Sequence, residues 1–504
     1  MNDLSATPQN GQPHALVIGA GFGGLAAAIR LGARGYRVTV IDRLDQPGGR
    51  AREFRQDGFT FDGGPTIITA PFLFEELFDL CGERLADHVT LKPLTPFYTV
   101  RFDDGTELRY SADHDFMREE IARFNPDDVA GYESLLEESR KCYEVGFVKM
   151  VDRPFNTLGR MAGAVPDLIG TRAYRSIYKM VSAHIKDERL RMAFSFHPLF
   201  IGGNPLRASS MFGLILHLEK EAGVHYAMGG TNTLARALVT LIEGQGGGVR
   251  LETEAAEILV ENGTARGVRL TTGETLMADI VVSNADAAWT HAKLLPKGRR
   301  WTEKRLARAA YSMGLFVWYF GTDRQFPDVD HHTIMMGPRY GPLLKDIFDN
   351  KVLAEDFSLY LHRPTATDPS MAPEGHDAFY VLSPVPNLSG DIDWAVEAEP
   401  YRQRIEDHLE ATKLPGLKDS IVTSRLLTPP DFETDYLSYY GAGFSFEPKI
   451  TQIAWFRPHN VSEEIANLYF VGAGTHPGAG VPGVIASARI LDKLVPEPAA
   501  FVPG

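Results

Sequence analysis

The chain has 504 residues, of which 44% are hydrophobic and 23% charged, with a formal net charge of -14. That length exceeds what one compact core serves, so two or more domains are expected, and the acidic balance disfavours nucleic-acid partners while favouring solubility. Cys81 and Cys142 are the only cysteines and form no C-x-x-C pair, which speaks against a disulfide framework and for a reducing compartment.

Met1 to Gln12 is polar and lacks a charged, apolar and cleavage-site pattern, so the reading is a disordered tail, no signal peptide and cytoplasmic residence. The apolar run His14 to Ile18 reads as a buried strand. It opens on Gly19-Ala20-Gly21-Phe22-Gly23-Gly24, and Leu25, Ile29 and Leu31 continue with helical spacing. Here Gly19 turns the chain, Gly21 lets the backbone approach a pyrophosphate, and Gly24 lets helix pack on strand. The phosphates would meet free N–H groups at the positive end of the helix. A second strand, Arg37 to Ile41, stops at Asp42, 21 residues beyond Gly21, where a carboxylate accepts hydrogen bonds from a ribose diol. Strand, helix, strand and terminal acid together predict a dinucleotide site.

An NAD-binding unit would normally proceed to a third strand. Here Gly48-Gly49-Arg50 and then Phe61-Asp62-Gly63-Gly64-Pro65-Thr66 intervene, and Arg50 is placed to offset pyrophosphate charge with bidentate hydrogen bonds. Between Gly146 and Met180 six basic residues stand against two acids, interleaved with Phe147, Met150, Phe155, Leu158, Met161, Leu168, Ile169 and Ile177. This stretch reads either as a surface that lies on an anionic bilayer or as an amphipathic helix pair packed on the core. Ser209 to Glu221 reads as helical. Gly229-Gly230 precedes another helix, and Val249 to Leu270 reads as strands around an Asn262-Gly263 turn. Leu315 to Phe320 is the longest clean apolar run, far short of the ~20 residues of a membrane span. Near the end, Leu468 to Val471 reads as a strand, Gly472 to Gly480 as a loop suited to close ligand approach, and Pro482 to Leu491 as a helix with proline in its first turn.

The Gly48 to Thr66 stretch resembles the flavin amine oxidase and phytoene desaturase superfamily. The run from Asn467 to Ser487 is similar to the signature of its bacterial carotenoid phytoene desaturases, and Ser283-Asn284-Ala285-Asp286 and Trp455-Phe456-Arg457-Pro458-His459-Asn460 resemble the same branch. The resemblance implies an α/β and α+β fold: a discontinuous Rossmann-type FAD-binding domain, a substrate domain and a helical, membrane-associated lobe. The implied division gives the FAD-binding domain 14–95, 225–290 and 455–492, the membrane-associated insert 96–224, and the substrate domain 291–454. Tails 1–13 and 493–504 are expected to be disordered. FAD would be held by Gly19, Ala20, Gly21, Phe22, Gly23, Gly24, Asp42, Arg43, Gly49, Arg50, Gly64, Pro65, Thr66, Ala255, Gly472, Gly474, Val481 and Val484. The helix start after Gly480 would stabilise the anionic reduced flavin.

The activity implied is stepwise desaturation of 15-cis-phytoene to all-trans-lycopene, with hydride passing to flavin and a proton to a base. Electrons would leave to quinone or oxygen, because the chain carries one dinucleotide fingerprint. Association with the inner face of the cell membrane, as an oligomer there, goes with that reading. Phe194, Phe196, Leu199, Phe200, Ile201, Met211, Phe212, Leu214, Phe316, Trp318, Tyr319 and Phe320 are candidates for an apolar channel or for ordinary core. His197 is a candidate base or a core histidine, whereas His331-His332 and Glu355-Asp356 read as surface or capping pairs, and no metal site is expected. Other readings are a neurosporene-forming or diapophytoene desaturase, a carotenoid isomerase, and a non-catalytic prenyl-lipid carrier.

Overall fold

The structure is a computed structural model that describes residues 11–298 and 300–501; the first ten residues of the expected N-terminal tail lie outside it. The chain opens with β1 (His14–Ile18), α1 (Phe22–Ala33) and β2 (Arg37–Ile41), then β3 (Tyr98–Arg101) and β4 (Glu107–Tyr110). A run of helices, the longest Asp128–Tyr143, leads to α2 (Leu214–Ala222) and α3 (Asn232–Gly244). Next come β5 (Gly248–Arg250), β6 (Ala255–Glu261), β7 (Thr264–Leu270), β8 (Thr275–Met277) and β9 (Ile280–Ser283). The remainder gives β10 (Gly314–Thr322), β11 (His332–Met335), β12 (Leu359–His362), β13 (Asp377–Val385), α4 (Trp394–Thr412), β14 (Ile421–Leu427), β15 (Leu468–Phe470) and α5 (Val481–Leu491).

Three separated stretches build the first sheet, in the parallel order β15-β9-β1-β2-β5. Parallel strands need cover on both faces, and β1 is buried at every position. Its alternate residues divide between two cores: Ala15 and Val17 face α1, α3 and α5, while Leu16 and Ile18 face Ile258 and Val268 of the β6–β7 hairpin. The glycine turn therefore sits at the carboxyl ends of β1 and β2, where such sheets open a crevice.

The second sheet has the order β14-β10-β13-β12-β11-β3-β4, parallel only where β11 meets β3. Strand β10, one in from the edge, is buried throughout, and alternation splits its apolar residues. Leu315 and Val317 face the interior toward the first sheet. Phe316, Trp318 and Phe320 pack on Tyr401, Ile405 and Leu409 of α4. Of the two readings, channel or ordinary core, these three aromatics take the core, since a residue's parity in a strand, and not its size, selects the face.

The C-terminal tail is also corrected for 493–501. Tyr36 donates to Pro496 O at 2.8 Å, Arg34 to Val495 O at 2.9 Å, and the Tyr36 and Phe501 rings meet edge to face at 6.2 Å. At the other end, Pro13 O accepts the Arg37 amide at 3.0 Å. In the 146–180 stretch, the helices Leu158–Ala162 and Val165–Gly170 bury none of their own residues. Leu158, Ile169 and Tyr174 are 68%, 62% and 71% exposed, so the pair is not simply packed on the core. Among the described residues no helix is long and apolar enough to cross a membrane.

Candidate active site

A cavity of about 590 Å³ runs from the glycine turn into the interior between the two sheets. At one end Gly19 adopts φ +97°, and its amide donates to Ile41 O at 2.7 Å, which ties the turn to the end of β2. Asn284, just after β9, holds the crossing point by donating to Gly19 O at 3.3 Å. A Cβ at Gly23 would lie 2.6 Å from Asn284 Oδ1 and 3.1 Å from Gly472 Cα, so backbone from opposite ends of the chain meets there with room for glycine alone. Gly21, the N-cap of α1, supplies no side-chain cap, and the first turn of the helix carries no acid. Its orphan N–H groups are left for an anionic ligand.

Asp42 ends β2 with one carboxylate oxygen accepting the Ala20 amide at 2.6 Å and the other accepting Leu44 N at 2.8 Å. Burial raises its pKa, and those two amides work against the rise. A carboxylate oxygen retains a second lone pair, so both bonds leave acceptor capacity facing the cavity. Arg43 donates to the carbonyl of Asp435 at 3.0 Å and also to that of Thr434, which braces the 429–438 segment against β2. Arg50 reaches the cavity wall and donates to Ser438 Oγ at 2.6 Å, while its Nε has no protein partner. Burial depresses its pKa and the neighbouring Asp286 opposes that. Asp286 itself is pushed up by burial. At the far side of this half, α5 starts after Gly480, φ +95°, again with no side-chain cap, and Val481 to Val484 line the cavity.

The expected residues Gly19, Gly21, Phe22, Gly23, Asp42, Arg43, Gly49, Arg50, Gly64, Pro65, Thr66, Ala255, Gly472, Val481 and Val484 all line this one cavity. Ala20, Gly24 and Gly474 stand behind its wall. Ala20 acts through its bond to Asp42. A Cβ on Gly24 would run into the Gly19 carbonyl, and one on Gly474 would meet Ala287. Two open helix starts, a glycine cradle, a strand-end acid and a guanidinium with an unpaired nitrogen fit a dinucleotide with a polarised ring system at its far end.

Beyond Gly63–Thr66 the lining turns apolar, with Leu199, Phe200, Met211, Leu214, Leu315, Val317, Ile334 and Phe444 among its residues. Phe196, Ile201 and Phe212 also face it, whereas Phe194 packs in the core on Tyr132 at 5.3 Å. Tyrosines fix the loop at the junction: Tyr319 donates to Gly63 O at 3.0 Å and Tyr380 to Gly64 O at 3.1 Å. His197 is wholly buried behind the wall, with Nε2 3.2 Å from Glu219 Oε2, and Glu219 rather than His197 reaches the cavity. His331 and His332 are corrected from surface to interior. Both are buried and cluster with His362, with one ring nitrogen of each within 4.8 Å of the others. The sequence pairing missed this because His362 lies on a neighbouring strand, and no spacing rule joins residues across a ladder. Tyr360 and Tyr380 were missed for the same reason, and Glu219 because only the packing of α2 turns it to the cavity.

Residues 22–490 match the family model described as flavin containing amine oxidoreductase. The chain belongs to this family. It is 53% identical over 501 residues to the phytoene desaturase (neurosporene-forming) of Cereibacter sphaeroides, covering 98% of this chain and 96% of that one. It is 46% identical over 486 residues to the phytoene desaturase (lycopene-forming) of Pseudescherichia vulneris, covering 96% and 99%. Among solved structures, cyclohexylamine oxidase from Brevibacterium oxydans aligns with a TM-score of 0.61 at 16% identity, covering 97% of this chain and 99% of that one, and shares the fold. Within the family the chain stands with the carotenoid desaturases, and its cofactor is FAD.

Proposed function

We propose that the protein is a phytoene desaturase that oxidises its polyene inside this cavity, next to FAD. The observation that carries the reading is the continuity of the site: one wall runs from the glycine cradle through Gly63–Thr66 into an apolar chamber. Residues 14–95, 225–290 and 455–492 supply the cofactor side, and 96–224 with 291–454 supply the substrate side. The first-turn amides of α1 would hold the phosphates, Arg50 would neutralise them, Asp42 would accept from the ribose, and the uncapped start of α5 would offer its amides to the ring system. Bound there, FAD supplies the hydride acceptor. The chamber's residues do the rest, excluding water and aligning a chain that offers no polar handle. Phe200 and Tyr360 present aromatic rings, whose negative faces lower the energy of a developing allylic cation. Electrons then leave to a quinone or oxygen.

Entry from a bilayer is part of the reading. Ile450 and Phe456 line the cavity and are also 39% and 41% exposed, and Met161 and Leu168 carry the lining into the exposed helix pair. Lys149, Arg153, Arg160 and Arg172 lie in or next to that helix pair along the chain, a basic content that suits an anionic lipid face at the inner side of the cell membrane. Replacing Leu158, Ile169 and Tyr174 by serine is expected to abolish flotation with anionic liposomes while the purified protein stays folded and yellow. Unchanged flotation overturns the membrane reading.

Four desaturations end at lycopene, as the sequence resemblance implies, and three at neurosporene. The higher identity to the neurosporene-forming relative supports three steps as the second reading. Incubating holoenzyme with phytoene-loaded liposomes and separating the pigments decides the endpoint, and unchanged phytoene rejects the desaturase assignment.

A further inference from the structure

The sheet places one row of directly opposed residues across its middle: Tyr319 faces Tyr380, Tyr380 faces His362, and His362 faces His332. Tyr360, two residues before His362, shares its face of β12. Tyr360 lines the cavity at the Gly63–Thr66 junction, and its hydroxyl lies 2.8 Å from Thr66 Oγ1 and 2.8 Å from His332 Nδ1. His332 Nδ1 is 3.4 Å from His362 Nδ1, and His362 Nε2 is 3.5 Å from Asp62 Oδ2. Asp62 is 2% exposed and also accepts from Tyr226 and the Thr231 amide, at 3.1 and 2.7 Å. A polar file thus leads from the junction of the two halves of the cavity to a buried carboxylate, through a core that is otherwise apolar.

We propose that this file, Tyr360–His332–His362–Asp62, receives the proton released at each desaturation, with Tyr360 as the catalytic residue and the two histidines as relay residues behind it. The inference rests on the desaturase reading and supplies the base which that reading leaves unnamed. In the step, one C–H bond gives up hydride to FAD and the adjacent C–H bond gives up a proton, its electron pair becoming the new double bond. The proton passes to Tyr360 Oη as the tyrosine's own proton passes to His332 Nδ1. The resulting imidazolium stands two links from the Asp62 carboxylate. Reducing a quinone takes up one hydride and one proton, so reoxidation empties the file for the next turn.

An allylic cation is a very strong acid, so a weak base suffices, and the requirement is a group that is neutral and ready to accept at neutral pH. Burial holds both His332 and His362 below the usual histidine value, and His362 lowers His332 further, while Asp62 partly restores His362. The other titratable groups packed around the pair are His331, Arg363, Tyr98, Tyr226 and Tyr380. Of these Arg363 is neutralised by Asp377 at 2.8 Å, and burial keeps the tyrosines protonated. The rival is Glu219, which also reaches the cavity, with one oxygen accepting from Tyr98 and the other beside His197; among the described residues no further carboxylate or imidazole extends that pair as His362 and Asp62 extend the file, and the variants below separate the two.

The test uses holoenzyme with phytoene-loaded liposomes and follows flavin bleaching in a single turnover. Tyr360→Phe and His332→Gln are expected to bind FAD stoichiometrically, keep KM within about threefold, and lose about 100-fold or more in rate, the usual scale of general base catalysis. The acid limb of the wild-type rate, displaced well below the ordinary histidine range because burial depresses His332, is expected to vanish in His332→Gln, a change that a purely structural defect does not produce. Glu219→Gln is expected to lose at least tenfold less rate than Tyr360→Phe. Full rate in Tyr360→Phe, or collapse in Glu219→Gln with Tyr360→Phe intact, overturns the proposal, as does a stoichiometric divalent metal on the three imidazoles in the purified holoenzyme. Should His332→Gln fail to fold, Tyr360→Phe still decides. A wild-type holoenzyme that leaves phytoene unchanged rejects instead the desaturase reading beneath it.

Discussion

Gly23→Ala probes the point where the two ends of the chain meet. The added methyl would sit 2.6 Å from Asn284 Oδ1 and 3.1 Å from Gly472 Cα. Ordinary contact requires roughly 3.4 Å, so α1 or the Gly472 loop must retreat by about 0.8 Å, and overpacking of that kind costs about 1–3 kcal/mol. Asn284 cannot swing aside freely, because its amide is bound to the Gly19 carbonyl. The displaced elements are the cofactor's cradle, so the cost falls on FAD binding, and 1.4–2.8 kcal/mol corresponds to a tenfold to hundredfold weaker Kd. Equilibrium titration of apoprotein with FAD, read by flavin fluorescence, measures it. Gly244→Ala serves as control, since nothing lies within 4 Å of a Cβ there, and FAD affinity is expected to be unchanged. Wild-type affinity in Gly23→Ala would refute the claim that these backbones converge on the cofactor.

Asp377→Ala removes a fully buried carboxylate that accepts from Arg363, Thr365 and the Phe326 amide. The stranded guanidinium is expected to cost about 3–5 kcal/mol in urea denaturation. The two faces of β10 should respond differently: Trp318→Ala lowers stability by about 3–5 kcal/mol, whereas Val317→Phe narrows the chamber and shifts the pigment profile toward less desaturated products with a smaller loss of stability. His476 is buried with a pKa lowered to about 4 by desolvation, against 6.5 unfolded. The unfolded chain therefore binds its proton first, so this contribution is whole above pH 6.5 and lost as pH falls to about 4. The loss is about 3 kcal/mol, and His476→Gln is expected to flatten that limb in pH-dependent denaturation.

The cofactor half was legible because its chemistry depends on local backbone: a glycine turn, a strand-end acid and an uncapped helix start each leave a short motif, and Asp42, Arg50 and Val481 stand where those motifs put them along the cavity wall. The substrate half was less so. Phe196, Phe200 and Met211 were legible as apolar, but Phe316 and Trp318 turn to α4 because strand parity depends on a register that sequence does not reveal. His332 and His362 become neighbours only through the β11–β12 ladder. The C-terminal segment looked like a tail because the interactions that order it are to Arg34 and Tyr36, more than 450 residues away in the chain.

The most direct test of the central claim is anaerobic titration of yellow holoenzyme with phytoene-loaded liposomes, recorded in one spectrum. If cofactor and polyene share a single cavity, the oxidised flavin bands bleach in step with the appearance of longer conjugated polyenes, one double bond per flavin. Flavin that stays oxidised while phytoene is recovered intact would contradict it.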